Sequence, residues 1–186
     1  MRQHMGLYRT DGYGDYLFSA GRLDRLKRFD LAIDALARCG PRIRLKIAGT
    51  GPVETELRRQ VERLGLADRV DLLGFVSVEE LVALYAGCRA VLYAPLNEDY
   101  GYVTIEAFLS RKPVITTTDA GGPLEFVTQG ATGWVSPADP GALAATIERV
   151  WDSSEEQLRA MGQEGLALAS EITWDKVVDR LVGALA

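Results

Sequence analysis

The sequence is poor in the residues that build metal centres and nucleophilic sites. It has one histidine, His4, and two cysteines, Cys39 and Cys88, among 186 residues. No Asp-x-Asp pair occurs, and the histidine stands in a polar N-terminal stretch, away from both cysteines. The sequence therefore offers neither a metal-ligand cluster nor a histidine-activated nucleophile. Because both cysteines stand in apolar or helical contexts, we expect two buried, reduced thiols.

The chain has no excess of positive charge. The chain has 21 Lys and Arg against 26 Asp and Glu, with a formal net charge of −5 and a pI near 5.0. This balance gives no electrostatic footprint for nucleic acid or an anionic membrane. No apolar run approaches the roughly eighteen residues of a membrane span, and the N-terminus has no apolar core of a signal peptide. We expect a cytoplasmic protein with no nucleic-acid partner and no transmembrane segment.

From Asp15 onward, short apolar runs alternate with longer amphipathic ones. The predicted strands are Tyr16–Gly21, Leu45–Gly49, Val70–Gly74, Ala90–Ala94, Pro113–Thr117 and Gly133–Ser136. The predicted helices are Phe29–Arg38, Val53–Leu64, Val78–Ala86, Tyr102–Ser110, Pro140–Trp151, Ser154–Ala169 and Trp174–Leu185. This alternation predicts an α/β domain, residues 15–186, with a doubly wound, Rossmann-like sheet of six parallel strands, helices on both faces and extra C-terminal helices.

Two kinds of signal set boundaries. Residues 1–14 are polar, contain glycine and include a second methionine, so we treat them as an N-terminal tail, and the second methionine suggests residues introduced for expression. The segments Ser77–Glu80 and Ser153–Glu156 each have serine and glutamate three residues apart. That spacing matches a capping box and predicts two helix starts.

The loop after the first predicted strand holds a candidate phosphate clamp. Ligands of a doubly wound sheet bind beyond the carboxyl ends of its strands. Here Gly21 and Arg22 are followed by Lys27, and then a helix begins. Two cations and a helix N-terminus are suited to a diphosphate. Two solvated surface cations are the alternative, and the position on the carboxyl edge favours the clamp.

The loop after the second predicted strand reads Gly49-Thr50-Gly51-Pro52, which resembles the start of a dinucleotide-binding fingerprint. The third glycine position holds Glu54, although Asp71 stands where a ribose-binding acid would be expected. We therefore rank a nicotinamide site low. Gly49 and Gly51 are interpreted as a tight turn that lets the backbone approach a ligand or a neighbouring loop.

Glu98 and Glu106 stand on either side of Gly101 in the stretch NEDYGYVTIEAF. On one continuous helix they would lie about 12 Å apart along the axis and roughly 80° apart around it, which is too far for a paired acid–base site. With Gly101 as a break, Glu98 lies in a loop and Glu106 on the second turn of the helix, with free backbone N–H groups between them. This arrangement suits an elongated, polar, anionic ligand.

Taken together, the loops resemble the C-terminal half of a retaining glycosyltransferase of family 4, which has the GT-B architecture. The resemblance covers nearly all of Tyr16 to Ala186, in the family's order. The matching segments are GRLDRLK, LKIAGTGP, VDLLGFVS, the E-x7-E of Glu98 and Glu106, RKPVITTTDAGGPLEFV and GATGWVSPADPGALA. Only the E-x7-E carries much weight singly, but the set is specific. It implies a nucleotide-sugar donor-binding domain, one half of a GT-B fold.

The resemblance also implies a role for each loop. Arg22 and Lys27 would hold the diphosphate, Glu106 the ribose hydroxyls, and Glu98 would face the donor sugar. The implied catalytic residues are Arg22, Lys27 and Glu98. The implied donor-binding set adds Gly21, Gly49 and Gly51, the nucleobase contacts Phe75 and Val76, the backbone N–H groups of Tyr100, Gly101, Tyr102 and Val103, and Glu106.

The implied reaction is sugar transfer from a nucleoside-diphosphate sugar to an acceptor hydroxyl, without a metal ion or a cofactor. Two features depart from the family. Asp99 and Tyr100 stand where the family more often has Gly-Phe, and the N-terminal acceptor domain is missing, so we expect the isolated chain to be inactive. The nucleobase, the sugar and the acceptor stay open. The alternatives are a non-catalytic nucleotide-sugar-binding module and, ranked lower, a nicotinamide-dependent oxidoreductase domain.

Overall fold

The computed structural model describes residues 7–172, which form one six-stranded parallel sheet with helices on both faces. The strands are β1 Leu17–Ala20, β2 Leu45–Ala48, β3 Val70–Gly74, β4 Ala90–Leu92, β5 Val114–Thr117 and β6 Gly133–Ser136. The α-helices are α1 Phe29–Leu36, α2 Glu54–Arg63, α3 Val78–Gly87, α4 Tyr102–Leu109, α5 Pro140–Asp152 and α6 Glu155–Glu171, with 3-10 turns at Arg25–Lys27 and Gly122–Glu125. The predicted doubly wound fold is confirmed.

The strand order is β3-β2-β1-β4-β5-β6. β1 therefore lies at the centre of the sheet, where Leu17 pairs with Leu45 of β2 on one side and with Ala90 of β4 on the other. The chain proceeds in opposite directions from this point, so the loops after β1 and β4 diverge. A crevice opens between such loops at the carboxyl ends of the strands.

Side chains of the strands alternate between two hydrophobic cores. Leu17 and Ile115 point into the core that α1, α2 and α5 cover, whereas their neighbours Phe18 and Val114 point into the core under α3 and α4. All four residues of β1 are buried. A parallel sheet covered on both faces requires such continuous apolar strands, which explains why the sequence shows runs rather than polar alternation.

One of the two predicted capping boxes is confirmed and the other is displaced. The hydroxyl of Ser77 accepts from the Glu80 backbone N–H, and the Glu80 carboxylate accepts from the Ser77 backbone N–H. At α6, however, the N-cap is Ser154 and its partner is Gln157, so the prediction of Ser153–Glu156 is wrong by one residue. Glutamine serves the N3 position as well as glutamate does. The predicted helix Trp174–Leu185 lies outside the described residues.

The N-terminal segment, residues 7–14, packs on the domain. The Asp11 N–H donates to the Ala86 carbonyl at 2.9 Å, and the Tyr13 hydroxyl donates to the Arg111 carbonyl at 3.2 Å. The buried ammonium of Lys112 donates to the Gly12 carbonyl and lies 4.7 Å from the centre of the Tyr13 ring. The stretch predicted as a tail therefore contacts the domain in residues 7–14, through long-range contacts that leave no local sequence signal.

The two cysteines are buried free thiols, as predicted. Burial raises the pKa of Cys39 to about 11 and that of Cys88 to about 12. Both side chains therefore stay protonated at neutral pH and pack as small apolar groups.

Candidate functional site

An open cavity of about 550 Å³ lies beyond the carboxyl ends of β1, β2 and β3. Most of the residues that the sequence singled out line it: Gly21, Arg22, Gly49, Gly51, Phe75, Val76, Val103 and Glu106. The lining also includes Ala20, Ala48, Thr50, Pro52 and Leu81, which sequence reasoning missed. Small residues at the strand ends leave room for a ligand between the loops.

The loops after β1 and β2 are joined by backbone hydrogen bonds. Gly21 N–H donates to the Ala48 carbonyl at 3.0 Å, and Leu23 N–H donates to the Thr50 carbonyl at 2.9 Å. A β-carbon at Gly49 would overlap the Gly21 carbonyl oxygen, and one at Gly51 would overlap the backbone of Leu23. The interpretation of the two glycines as a close backbone approach is confirmed, and the approached group is the neighbouring loop.

Arg22 and Lys27 differ in their surroundings. Arg22 is exposed at the cavity, and among the described residues it has no ion-pair partner. Lys27 ends a 3-10 turn, in which the Asp24 carboxylate accepts the N–H groups of Leu26 and Lys27 at 3.1 Å each. The side chain of Lys27 passes close to Gly21, which lines the cavity.

Lys27, Tyr93 and Glu98 form a polar cluster beside the cavity. The Lys27 ammonium donates to Glu98 Oε2, and the Tyr93 hydroxyl donates to the same oxygen at 2.8 Å. Burial alone would raise the pKa of the Glu98 carboxyl, but the hydrogen bonds from Lys27 and Tyr93 outweigh it and lower that pKa. Glu98 is therefore an ionised, hydrogen-bonded carboxylate. The structure brings together two residues that the sequence had assigned to separate parts of a ligand.

The loop that carries Glu98 is fixed by the loop after β5. Glu98 N–H donates to the Ala120 carbonyl at 2.9 Å, and Gly122 N–H donates to the Glu98 carbonyl at 2.6 Å. A β-carbon at Gly121 would lie 2.6 Å from the Glu98 carbonyl oxygen, so this position requires glycine. The backbone of Glu98 is consequently held as in a short parallel bridge to Gly121.

Glu106 lies on the second turn of α4 and faces the cavity, as the sequence predicted for its position. Tyr85 of α3 donates to Glu106 Oε2 at 2.9 Å, and the Tyr8 ring meets the Tyr85 ring edge to face at 6.0 Å between centres, which brings a second phenol near this carboxylate. Burial raises the pKa of the Glu106 carboxyl, and the two phenols oppose this effect without cancelling it. A half-buried carboxylate that accepts from a packed phenol is held in orientation and keeps lone pairs for a ligand.

The start of α4 supplies backbone donors. Gly101 is the N-cap, in the left-handed region with φ 77°, and its carbonyl accepts from Thr104 N–H at 2.9 Å. The first N–H groups of the helix, those of Tyr102 and Val103, have no intrahelical acceptor. The ring of Tyr100 packs on Tyr102 and Phe126 at 4.9 and 5.5 Å between ring centres, so its side chain shapes the loop.

Three supporting residues escaped the sequence analysis. Tyr85 and Tyr93 hold the two glutamates, and Arg28 donates to the carbonyls of Ala94 and Pro95 and to both carboxylate oxygens of Asp119. Tyr85 and Arg28 are distant in sequence from their partners, and Tyr93 lies five residues before Glu98 across an irregular loop, so no helix or strand spacing reveals these contacts. Within residues 7–172, no group of three or more His, Cys, Asp or Glu side chains is placed to hold a metal ion.

Comparison with known proteins gives the family. The sequence profile described as "Glycosyl transferases group 1" matches residues 9–167. The chain belongs to the glycosyl transferases group 1 family. This group 1 chain is 31% identical to human alpha-1,3/1,6-mannosyltransferase ALG2 over 172 residues, 83% of the chain and 41% of that protein. It is 29% identical to the D-inositol 3-phosphate glycosyltransferase of Segniliparus rotundus over 171 residues, 88% of the chain and 38% of that protein.

Solved structures agree with this assignment. The Anabaena protein Alr3699/HepE, in complex with UDP and glucose, superposes with a TM-score of 0.80 at 28% identity, covering 99% of the group 1 chain and 50% of the Anabaena chain. The C-terminal domain of the group 1 protein LpcC from Francisella tularensis superposes with a TM-score of 0.75, over 89% of this chain and 94% of that one. At 20% identity the second match shows the fold alone.

The group 1 chain spans about two fifths of the length of the curated relatives described above. It has the Rossmann-like sheet of one GT-B domain. In the part of the chain that the structure describes, no helix is long and apolar enough to cross a membrane.

Proposed function

We propose that this chain is the donor-binding half of a retaining family 4 glycosyltransferase that transfers a sugar from a nucleoside-diphosphate sugar to an acceptor hydroxyl. The observation that carries the proposal is the cavity at the carboxyl edge of the sheet, which has the Arg22 side chain at its rim and the oriented carboxylate of Glu106 in its lining. A cation for phosphate and a fixed acceptor for hydroxyls are the two groups that a nucleotide needs.

The proposed binding mode extends from the cavity to the polar cluster. The backbone of Phe75 and Val76 contacts the nucleobase, Glu106 accepts the ribose hydroxyls, and Arg22 and Lys27 hold the diphosphate. The open backbone N–H groups of Tyr102 and Val103 face phosphate and sugar, and Glu98 receives sugar hydroxyls. The position of Lys27 and Glu98 beside the cavity supports this order, because Lys27 passes close to Gly21 in the cavity lining.

In the proposed reaction the bond between the sugar C1 and the diphosphate oxygen breaks while the acceptor oxygen bonds to C1 from the same face. A donor phosphate oxygen takes the acceptor proton. Arg22, Lys27 and the start of α4 stabilise the charge that develops on the leaving diphosphate, which is the largest electrostatic demand of the reaction. The proposal assigns this role to protein cations and needs no metal ion.

The proposal includes a second domain that forms the opposite wall of the donor cleft. The relatives are more than twice as long as this chain, and an acceptor domain preceding this one would close the cleft. Water must be kept from the reacting sugar, and one wall does not do so. We therefore expect the chain to bind donor and to transfer no sugar by itself. We also expect the protein to act in the cytoplasm, in the synthesis of a polysaccharide or glycoconjugate.

Thermal unfolding with UDP, GDP, ADP and NADH tests the proposal. One nucleoside diphosphate, at about 100 times its dissociation constant, should stabilise the domain by about 2.7 kcal/mol. A response to NADH alone would support the nicotinamide alternative and contradict the proposal. Sugar transfer to an added acceptor by the isolated chain would contradict the expectation of a missing wall.

A further inference from the structure

The ammonium group of Lys27 has an anionic partner within the domain itself. It donates to Glu98 and lies 3.4 Å from the Tyr93 hydroxyl oxygen, and the side chains of Lys27 and Glu98 are each only 21% exposed. Arg22, in contrast, is exposed and has no ion-pair partner among the described residues. A diphosphate therefore finds Arg22 available and has to compete with Glu98 for Lys27.

Glu98 opposes a diphosphate in two ways. It occupies one of the three N–H donors of Lys27, and its charge cancels much of the attraction of the same ammonium for phosphate oxygens. Both effects are strengthened by the shielding of the pair from water, because opposite or like charges interact more strongly in a lower dielectric. Tyr93 adds to the effect, since its hydroxyl bond to Glu98 Oε2 favours the ionised form of the carboxylate.

We propose that Glu98, by holding Lys27, weakens the binding of the free nucleoside diphosphate and so favours the sugar-bearing donor over the diphosphate product. The inference rests on the function proposed above. A sugar brings hydroxyl donors that the carboxylate accepts, which offsets the weaker attraction by Lys27, whereas a terminal phosphate brings only acceptors and an additional negative charge that would need the ammonium. Glu98 is thus a specificity-determining residue that assists product release.

Calorimetric titration of Glu98→Gln tests the inference. The ligand is whichever of UDP, GDP and ADP binds the wild type most tightly. Because glutamine removes the charge and keeps an oxygen for the Tyr93 hydroxyl, we expect the nucleoside diphosphate to bind roughly three to ten times more tightly. With UDP-glucose, GDP-mannose or ADP-glucose, matched to the base, the gain should be smaller or become a loss.

A matched control and a double variant isolate the pair. Glu56→Gln makes the same charge change in an exposed ion pair with Arg25, and it should leave the affinity unchanged. In the Lys27→Gln background, Glu98→Gln should no longer tighten binding, because the contested ammonium is gone. Cooperative thermal unfolding of each variant confirms that it is folded.

The outcomes separate the two proposals. If no nucleoside diphosphate binds the wild type, the proposed function fails and this inference fails with it. If the wild type binds one but Glu98→Gln binds it equally or less tightly, only the inference fails. It also fails if the gain is the same with Glu56→Gln, persists without Lys27, or is equal for the sugar-bearing ligand.

Discussion

Tyr85 of α3 donates a hydrogen bond of 2.9 Å to Glu106 of α4, which joins the two helices beside the cavity. The Tyr85 ring is fully buried and meets Phe18 of β1 edge to face, at 4.8 Å between ring centres. Since packing fixes the ring, the hydroxyl fixes the carboxylate. A ligand-facing group held in this way loses little conformational freedom on binding, so its orienting residue should affect affinity.

Tyr85→Phe should weaken binding of the nucleoside diphosphate by about tenfold. The substitution keeps the ring and removes one hydrogen bond to a charged acceptor, a bond whose loss typically costs about 1.5–3 kcal/mol, of which we expect part to appear in binding. Tyr16→Phe is the matched control, because the Tyr16 hydroxyl donates to the Leu84 carbonyl at 2.9 Å. If calorimetry shows that both variants bind the nucleoside diphosphate with equal affinity, Tyr85 does not contribute to the binding site.

The nucleotide affinity should depend on pH through Glu106. Burial raises the pKa of this carboxyl, so the ionised form, which accepts ribose hydroxyls in the proposed binding mode, is present above the raised pKa and is lost as the pH falls through it. The facing groups are the phenols of Tyr8, Tyr85 and Tyr93, whose pKa values burial raises above 10, so they stay neutral.

The nucleotide phosphate titrates as well, near pH 6, so the comparison has to be made against Glu106→Gln with the same ligand. The ratio of wild-type to variant affinity should be largest at pH 8 and should shrink toward pH 5. In Tyr85→Phe the carboxylate loses a stabilising donor, and its loss of affinity should begin at a higher pH. A ratio that is constant across this range would mean that Glu106 does not touch the nucleotide.

Arg22→Ala should weaken the nucleoside diphosphate by roughly ten- to a hundredfold, the range for one charge-assisted hydrogen bond. The thermal stability should not change, because Arg22 is exposed and has no ion-pair partner among the described residues. Arg25→Ala serves as the control, since Arg25 lies three residues further on and pairs with Glu56. Similar losses for both arginines in a titration would point to a general effect of positive charge.

Gly49→Ala should destabilise the domain by more than about 2 kcal/mol. The added methyl group would overlap the Gly21 carbonyl oxygen, and Gly49 has φ 137°, so both packing and backbone conformation oppose the change. Gly65→Ala isolates the conformational part, because Gly65 has φ 66° and open space around it. It should cost about 1 kcal/mol. Urea unfolding measures both, and equal losses would refute the close approach of the two loops.

The sheet was predictable because its strands are buried on both faces. Short, mostly apolar runs such as LFSA and VITT are typical of strands in a parallel sheet that is covered on both faces. The loops that follow such strands lie at one edge of the sheet. The positions of Arg22 and Glu106 followed from this rule. The capping box at Ser154 was missed by one residue because serine and glutamate are each doubled there.

Contacts across the sheet were beyond prediction. The pair of Lys27 and Glu98 joins the loop after β1 to the loop after β4. The two residues are far apart in sequence, so no periodic spacing predicts that their side chains meet. Tyr8 reaches Glu106 from a segment whose polar composition resembles a tail. Such contacts depend on side-chain direction and on the divergence of loops at the centre of the sheet, and both are set only when the whole domain has folded.

The proposed contact between Glu106 and the ribose can be tested most directly by removing the ribose hydroxyls from the ligand. Calorimetry compares a nucleoside diphosphate with its 2′,3′-dideoxy analogue, using the wild type and Glu106→Gln. We predict that the analogue binds the wild type about ten times less tightly, because the carboxylate then lacks its hydroxyl donors, and that Glu106→Gln distinguishes the two ligands much less. If the analogue loses the same affinity in both proteins, Glu106 does not hold the ribose and the proposed binding mode is wrong.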